Sequence, residues 1–372
     1  MEKRLNTELI NVQLEKKGLN QSSIAKLLQV SRESVSKWLK NEYFPDPKNL
    51  IRLSSVLDMQ FNELVIKNSS NQPLIEFRKN GNSKITEAHL HKAINMGLRI
   101  QDLLPYFAEK YLTESPILSD PRYEYNYINN VTDYLRKSIK KDNSALNLEN
   151  LVELLKKLNA SLIPVLWGSN KNHRNALHIY LPESKTTWIF VNLDSWACDI
   201  NFWIAHELGH VISKKISEDV KEKFAEDFSE TLLFPISKTE ALYENILNHP
   251  TSMQIEKIKL IAEEYNISPV TVYMQMKKYA LHKNKPEINL ENNIYKAFTV
   301  FKNRRGLYSK QISGGVDEFI EISESKFFTP IYNALKKYDR NKKLSVGFIQ
   351  QLFDISTSDS IALFEAIKNE AD

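Results

Sequence analysis

Two histidines and one glutamate stand inside an otherwise uncharged run, W-I-A-H-E-L-G-H-V-I, at residues 203–212. Apolar or small residues flank His206, Glu207 and His210, so the run predicts a helix buried over most of its surface. Histidines four positions apart lie on one helix face, and both rings can reach a single metal ion. Because unexplained buried polar groups cost free energy, three polar side chains on a buried helix favour a shared site such as a bound metal ion.

The H-E-x-x-H spacing is typical of zinc hydrolase centres. Neutral histidine nitrogens hold zinc, which lowers the pKa of its water towards about 7, and a neighbouring carboxylate can take a proton from that water. The pattern therefore predicts Zn²⁺ as cofactor, His206 and His210 as ligands and Glu207 as catalytic base. The alternative is a helix whose two histidines are ordinary core residues.

Composition limits the class of protein. The chain has 372 residues, long enough for two or three domains, and its 9 glycines favour a fold made mainly of helices. One cysteine, Cys198, excludes an internal disulfide framework, and the first residues lack the apolar core of a signal peptide, so we expect a cytoplasmic protein without a membrane partner. A net charge of +4 is too small to indicate nucleic acid by itself.

The first 66 residues show five short helical patterns, at 5–16, 21–28, 32–41, 47–57 and 62–66. The segment 21–39 has the apolar spacing of a helix-turn-helix, with small Ala25 where two helices cross and Ser31 as N-cap of the second helix. This block resembles the Xre/Cro, lambda-repressor-like family over residues 4–64. Gln29 departs from the glycine that is frequent in the turn of that family.

The resemblance implies binding to a double-stranded DNA operator, by a protein that is usually a homodimer. It places Gln21 against phosphate at the start of the first helix of the motif. It also implies a recognition helix that begins after Ser31 and faces the major groove with Arg32, Glu33, Ser36 and Lys37. Val35, Trp38 and Leu39 should be core. The alternative is a helix-turn-helix that contacts only protein.

The rest of the chain divides by composition. Polar residues rich in Asn, Ser and Gly predict a linker at 67–84, followed by a helical connecting region at 85–145. A domain at 146–285 begins with a helix and three runs with strand character, at 161–167, 176–181 and 187–192. These runs predict a small three-stranded sheet before the histidine helix. Residues 286–372 predict a helical C-terminal region of unknown role.

Zinc needs a further protein ligand, and several carboxylates follow the histidines closely. The candidates are Glu218, Asp219, Glu222, Glu226, Asp227 and Glu230. Spacing alone does not choose among them. The stretch from His210 to Glu222 is short. The histidine helix must therefore end near Lys214, and Ser217 offers an N-terminus for the next helix.

Residues 222–235 resemble the second signature of the ImmA/IrrE metallopeptidase family, Glu-x-x-Ala-(Asn/Asp) followed by Leu-Leu-x-Pro. The resemblance covers about residues 147–281 and implies a zincin-like domain in which Glu222 is the third zinc ligand. Glu226 lies one helical turn further and could accept a hydrogen bond from a ligand histidine. The family more often has Asn or Asp there. A second helix-turn-helix-like pattern, at 261–272, is commonly structural in such peptidases.

Together these patterns predict a mainly α protein of the α+β class: a five-helix lambda-repressor-like domain, a zincin-like domain and a helical C-terminal region. The leading hypothesis is a DNA-binding regulator with a zinc endopeptidase that cleaves a protein partner, of repressor, antitoxin or toxin type, in a stress, phage or defence response. The rival is a non-proteolytic transcription factor or antitoxin-like regulator that uses the peptidase fold as a sensing or dimerising scaffold. A third possibility is cleavage of its own linker.

Overall fold

The computed structural model describes residues 3–40, 42–67, 72–77, 86–140, 142–168, 175–342 and 344–369. The chain forms two compact units, Met1–Gln72 and Pro73–Asp372. The fold is mainly helical with small sheets, as predicted. Within the described residues, no helix has the length and apolar character needed to cross a membrane.

The first unit contains the five predicted helices together with one pair of strands. In chain order its elements are β1 (Lys3–Leu5), α1 (Thr7–Lys16), α2 (Gln21–Leu28), α3 (Arg32–Leu39), α4 (Pro47–Leu57), α5 (Phe61–Leu64) and β2 (Val65–Lys67). β1 pairs antiparallel with β2, and Leu5 lies opposite Val65. The helix predicted at 5–16 therefore began too early and the helix predicted at 62–66 ended too late. A strand of three residues is too short to show an alternation of apolar and polar side chains.

Local hydrogen bonds explain why α2 and α3 form where they do. The Asn20 side chain accepts hydrogen bonds from the first turn of α2, and Ser31 Oγ accepts one from Ser34 N at 3.0 Å at the start of α3. Gln29 ends α2 in the left-handed region with φ 58°, where the family often has glycine. Ser31 is the N-cap, as predicted.

The second unit has a four-stranded sheet with helices around it. Its elements as far as the histidine helix are β3 (Leu74–Phe77), α6 (Glu87–Leu103), α7 (Tyr125–Lys137), α8 (Leu148–Lys157), β4 (Ala160–Val165), β5 (Ala176–Leu181), β6 (Thr186–Asn192) and α9 (Ile200–Ile212). The strand order is β3-β5-β6-β4, in which β4 runs parallel to β6 and the other pairs are antiparallel. β6 leads through a short segment into α9.

β3 corrects two predictions, the three-stranded sheet and the continuous linker at 67–84. Leu74 lies opposite Tyr180 and Phe77 opposite Leu177, so this part of the predicted linker is an edge strand. The four residues of β3 are too few to show an alternation of apolar and polar side chains. They form a strand because they pair with β5. Residues 68–71 and 78–84 of the predicted linker lie outside the described residues.

The remaining helices complete the second unit. They are α10 (Lys221–Leu233), α11 (Ile236–Ile246), α12 (Thr251–Tyr265), α13 (Pro269–His282), α14 (Glu291–Arg305), α15 (Gly315–Ser325), α16 (Ile331–Lys342), α17 (Val346–Phe353) and α18 (Thr357–Asn369). They share one hydrophobic core with the sheet, and Trp167 Nε1 after β4 donates to Phe353 O at 2.7 Å. The predicted boundaries at 146 and 286 thus fall inside one compact unit.

Candidate functional site

The two histidines of α9 meet at their Nε2 atoms. His206 is 0% exposed and His210 2% exposed, and their Nε2 atoms lie 3.1 Å apart. The helix that carries them is buried on nearly every side, as its apolar sequence predicts. Glu207, 2% exposed, follows His206 in the same helix. Both imidazoles therefore present a nitrogen to one point in a protected part of the unit.

Gly209 lets α10 come close to these histidines. A Cβ atom added at Gly209 would lie 3.0 Å from Ala225 Cα and 3.1 Å from Phe228 Cδ1. An alanine here would need the α10 backbone to move away, because 3.0 Å is shorter than an ordinary contact between carbon atoms. The close approach brings the first turn of α10 over the two imidazole rings.

Glu222 in that first turn completes a group of three. Its Oε2 lies 3.7 Å from His206 Nε2 and its Oε1 3.5 Å from His210 Nε2. α10 begins at Lys221, four residues after Ser217, so the predicted N-terminus was too early. Ser217 instead lies in the turn before the helix, where Val220 N donates to its carbonyl oxygen. This turn is what aims Glu222 at the histidines.

The three side chains fit a zinc ion. Their ligand atoms all lie within 4.8 Å of one another. Tetrahedral zinc with bonds of about 2.0–2.1 Å separates neighbouring ligand atoms by about 3.3 Å. The two Nε2 atoms lie 3.1 Å apart, and each lies 3.5 or 3.7 Å from a different oxygen of Glu222. The Glu222 side chain is 46% exposed, whereas the histidines are buried. The open side of the group therefore lies at the carboxylate.

The other candidate ligands have different surroundings. Asp227 and Glu230 both accept from Lys278 Nζ, the Glu230 contact being 2.5 Å, and burial raises the pKa of Glu230 to about 7. Lys278 lies about fifty residues along the chain from them, and no local pattern indicated it. Ser217 lowers the pKa of Asp219 through a side-chain hydrogen bond in the turn. Glu226 is exposed on α10, one turn beyond Glu222.

Gly209 offers a direct test of the close crossing. We expect Gly209→Ala to lower the free energy of unfolding, because overpacking costs about 1–3 kcal/mol and the gain in helix propensity returns only about 1 kcal/mol. Gly347→Ala in α17 is the matched control, since nothing lies within 4 Å of an added Cβ there, and it should stabilise the protein slightly. Denaturant unfolding measures both. Equal stabilisation by the two variants would contradict the crossing.

In the first unit, α3 presents its predicted DNA-facing residues to solvent. Arg32, Glu33 and Lys37 are exposed, as is Gln21 at the start of α2, and Ser36 is partly exposed. Glu33 and Lys37 form an ion pair of 2.9 Å, which lowers the pKa of the Glu33 carboxyl. The opposite face packs inward: Val35 and Trp38 are buried, and Leu39 is partly buried.

Substitutions on α3 test the predicted recognition surface. Arg32→Ala should weaken binding to a selected operator by about 1–3 kcal/mol. Lys37→Ala should reduce the slope of log affinity against log salt concentration by about one, because one phosphate contact is lost. The control is Lys16→Ala, which removes one positive charge at an exposed position of α1, outside α3. Gel shifts at several salt concentrations measure these effects. Wild-type affinity for both α3 variants would exclude this surface.

The second helix-turn-helix-like pattern, at 261–272, is internal. Asn266 between α12 and α13 is left-handed, and Ser268 Oγ accepts from Val270 N at 3.0 Å, which repeats the local geometry of the first motif. The equivalent of a recognition face is covered, because Thr271 and Gln275 are 5% and 0% exposed. The pattern is structural in this protein.

Comparison with known proteins identifies the first unit only. A model of the helix-turn-helix family matches residues 13–64, which include α2 and α3. Neither the curated proteins nor the solved structures gave a match to the chain. The matched residues bear out the Xre and lambda-repressor-like interpretation of the N-terminus and support a DNA-binding regulator.

Proposed function

We propose that this protein is a DNA-binding regulator whose second unit is a zinc-dependent endopeptidase. The observation that carries the proposal is the convergence of His206, His210 and Glu222 on one point, with Glu207 beside them in α9. The resemblance of residues 147–281 to the ImmA/IrrE metallopeptidases supports the same assignment. In this proposal His206, His210 and Glu222 hold the metal.

Zinc, when bound, activates water and polarises a carbonyl. The side chains of the protein hold the metal and transfer a proton. Glu207 takes the proton of the attacking water and then gives it to the leaving amine, so the two halves of the reaction share one carboxyl group. Its burial, at 2% exposure, keeps bulk water from competing for that proton.

The partial exposure of Glu222 supports a substrate that approaches from outside. The Glu222 side chain is 46% exposed, so a polypeptide segment would reach the group from this side. We propose that the substrate is a protein that acts with the DNA-bound regulator, of repressor, antitoxin or toxin type. Cleavage would then change transcription, in a stress, phage or defence response.

A comparison in cells tests cleavage against the scaffold alternative. Cells that carry the neighbouring genes would express either the wild-type protein or Glu207→Gln, and new protein N-termini would be identified by mass spectrometry. The proposal predicts N-termini that appear only with the wild-type protein. Identical sets of N-termini, with zinc and DNA binding both retained, would overturn it in favour of a non-proteolytic scaffold.

A further inference from the structure

A large cavity lies in the second unit outside the metal-binding group. It has a volume of about 570 Å³ and opens between the end of β4 and the helices α15, α17 and α18. Sites for small molecules are clefts of about 300–1,000 Å³ that are mostly apolar and carry a few polar groups. The cavity has the size of such a site, and the proposed peptidase chemistry does not use it.

The walls of the cavity are mainly apolar. Leu166 and Trp167 line it from the chain after β4, Val316 and Phe319 from α15, and Leu363 from α18. Leu166 is 37% exposed, although the residues before it in β4 are buried. A ligand with an apolar body would remove these walls from water, and the burial of apolar surface would stabilise the complex.

Two carboxylates give the cavity its charge. Asp194 Oδ2 accepts a hydrogen bond from Gly168 N at 2.7 Å, and Asp359 Oδ2 accepts one from Ser356 Oγ at 2.6 Å. Both aspartates line the cavity, and among its described lining residues there is no lysine, arginine or histidine. Asp359 is exposed and its bond to Ser356 lies at the start of α18, whereas the bond of Asp194 joins it to the chain after β4.

Two helix N-termini add positive charge beside the cavity, but this charge is smaller than that of the two carboxylates. α15 and α18 both begin beside the cavity, at Gly315 and just after Ser356. Each helix N-terminus is equivalent to about half a positive charge. The two full carboxylate charges of Asp194 and Asp359 exceed two such partial charges. The cavity therefore favours a cation over an anion.

The cavity is joined to the segment that leads into α9. Ser309 N donates to Leu193 O and Tyr308 N to Ser195 O, both at 2.9 Å, and Ala197 N donates to Gly306 O at 3.0 Å. Ser309 lines the cavity, as does Asp194 in the segment before α9. The walls of the cavity and the start of the histidine helix thus share one hydrogen-bonded strip of backbone.

We propose that this cavity is a binding site for a small amine, with an apolar body against Trp167 and Phe319 and an ammonium group at the Asp194 carboxylate, to which exposed Asp359 adds negative charge. The site gives the C-terminal helices, whose role the sequence did not indicate, a function in ligand recognition. It depends neither on zinc nor on proteolysis by this protein.

Isothermal titration of the full chain with decylamine and with decanoate, each below its micelle concentration, tests the site. We expect one decylamine bound per chain and decanoate at least about tenfold weaker, a difference of about 1.4 kcal/mol. Asp194→Asn should weaken decylamine about tenfold, because it removes the charge and keeps an oxygen for Gly168 N. Asp120→Asn, an exposed aspartate paired with Arg122, is the matched control.

Ala362→Phe, which fills the cavity from α18, should abolish decylamine binding while circular dichroism shows an unchanged fold. No decylamine binding by the wild-type protein would overturn the proposal. So would equal affinity for decanoate, wild-type affinity in Asp194→Asn, or undiminished binding by a folded Ala362→Phe protein.

Discussion

Glu207→Gln is expected to lower the rate of peptide cleavage by about 10²–10⁴-fold, the usual contribution of a general base. The amide has the size and shape of the carboxylate but cannot accept the proton of the attacking water. Glu207 is not among the residues that converge as ligands, so zinc content should stay at the wild-type level. Release of peptides from unfolded casein, followed with purified protein, measures the rate without knowledge of the natural substrate.

The matched control for this prediction is Glu183→Gln, which makes the same chemical change at an exposed position between β5 and β6. It should cleave at the wild-type rate. If Glu207→Gln also cleaved at that rate while the wild-type protein was active, Glu207 would not be the base.

Glu222→Gln is expected to weaken zinc binding by more than about 100-fold, because loss of an outer partner alone costs about 10–100-fold and Glu222 is a proposed direct ligand. The neutral amide removes one negative charge from the metal centre and coordinates zinc poorly. Competition with a chelator of known affinity measures the change. His206 and His210 remain as a weak two-ligand site in this variant.

Glu218→Gln is the matched control, because it makes the same chemical change at another of the candidate carboxylates. Its side chain is 88% exposed and lies in the turn before α10, within hydrogen-bonding distance of Lys221. We expect its zinc affinity to equal that of the wild-type protein. An equal loss of affinity in both variants would mean that general negative charge, and no specific ligand, holds the metal.

The sequence predicted features that depend on nearby residues. Ser31, Gln29 and the helices around them follow from capping and from turn chemistry within a few positions. The same holds for α9, whose apolar frame marks a buried helix. Short elements that exist through distant pairing were missed: β1 needs β2, and β3 needs β5, about a hundred residues away in the chain.

The site shows the same division between local and distant information. The spacing of His206 and His210 fixes both rings on one helix face, but spacing did not choose among the six carboxylates that follow, and only the family resemblance pointed to Glu222. In the structure the close crossing at Gly209 places Glu222 beside the histidines, while Lys278 engages Asp227 and Glu230. These contacts join separate helices, so no local pattern could reveal them.

Metal analysis of the purified 372-residue chain is the decisive measurement for the peptidase, because every step of the proposed cleavage requires the ion. The account predicts about one zinc per chain, retained in Glu207→Gln and lost in His206→Ala. Less than about half an equivalent of metal in the wild-type protein, with no rise after zinc is added, would contradict the metal centre and the proposed peptidase with it.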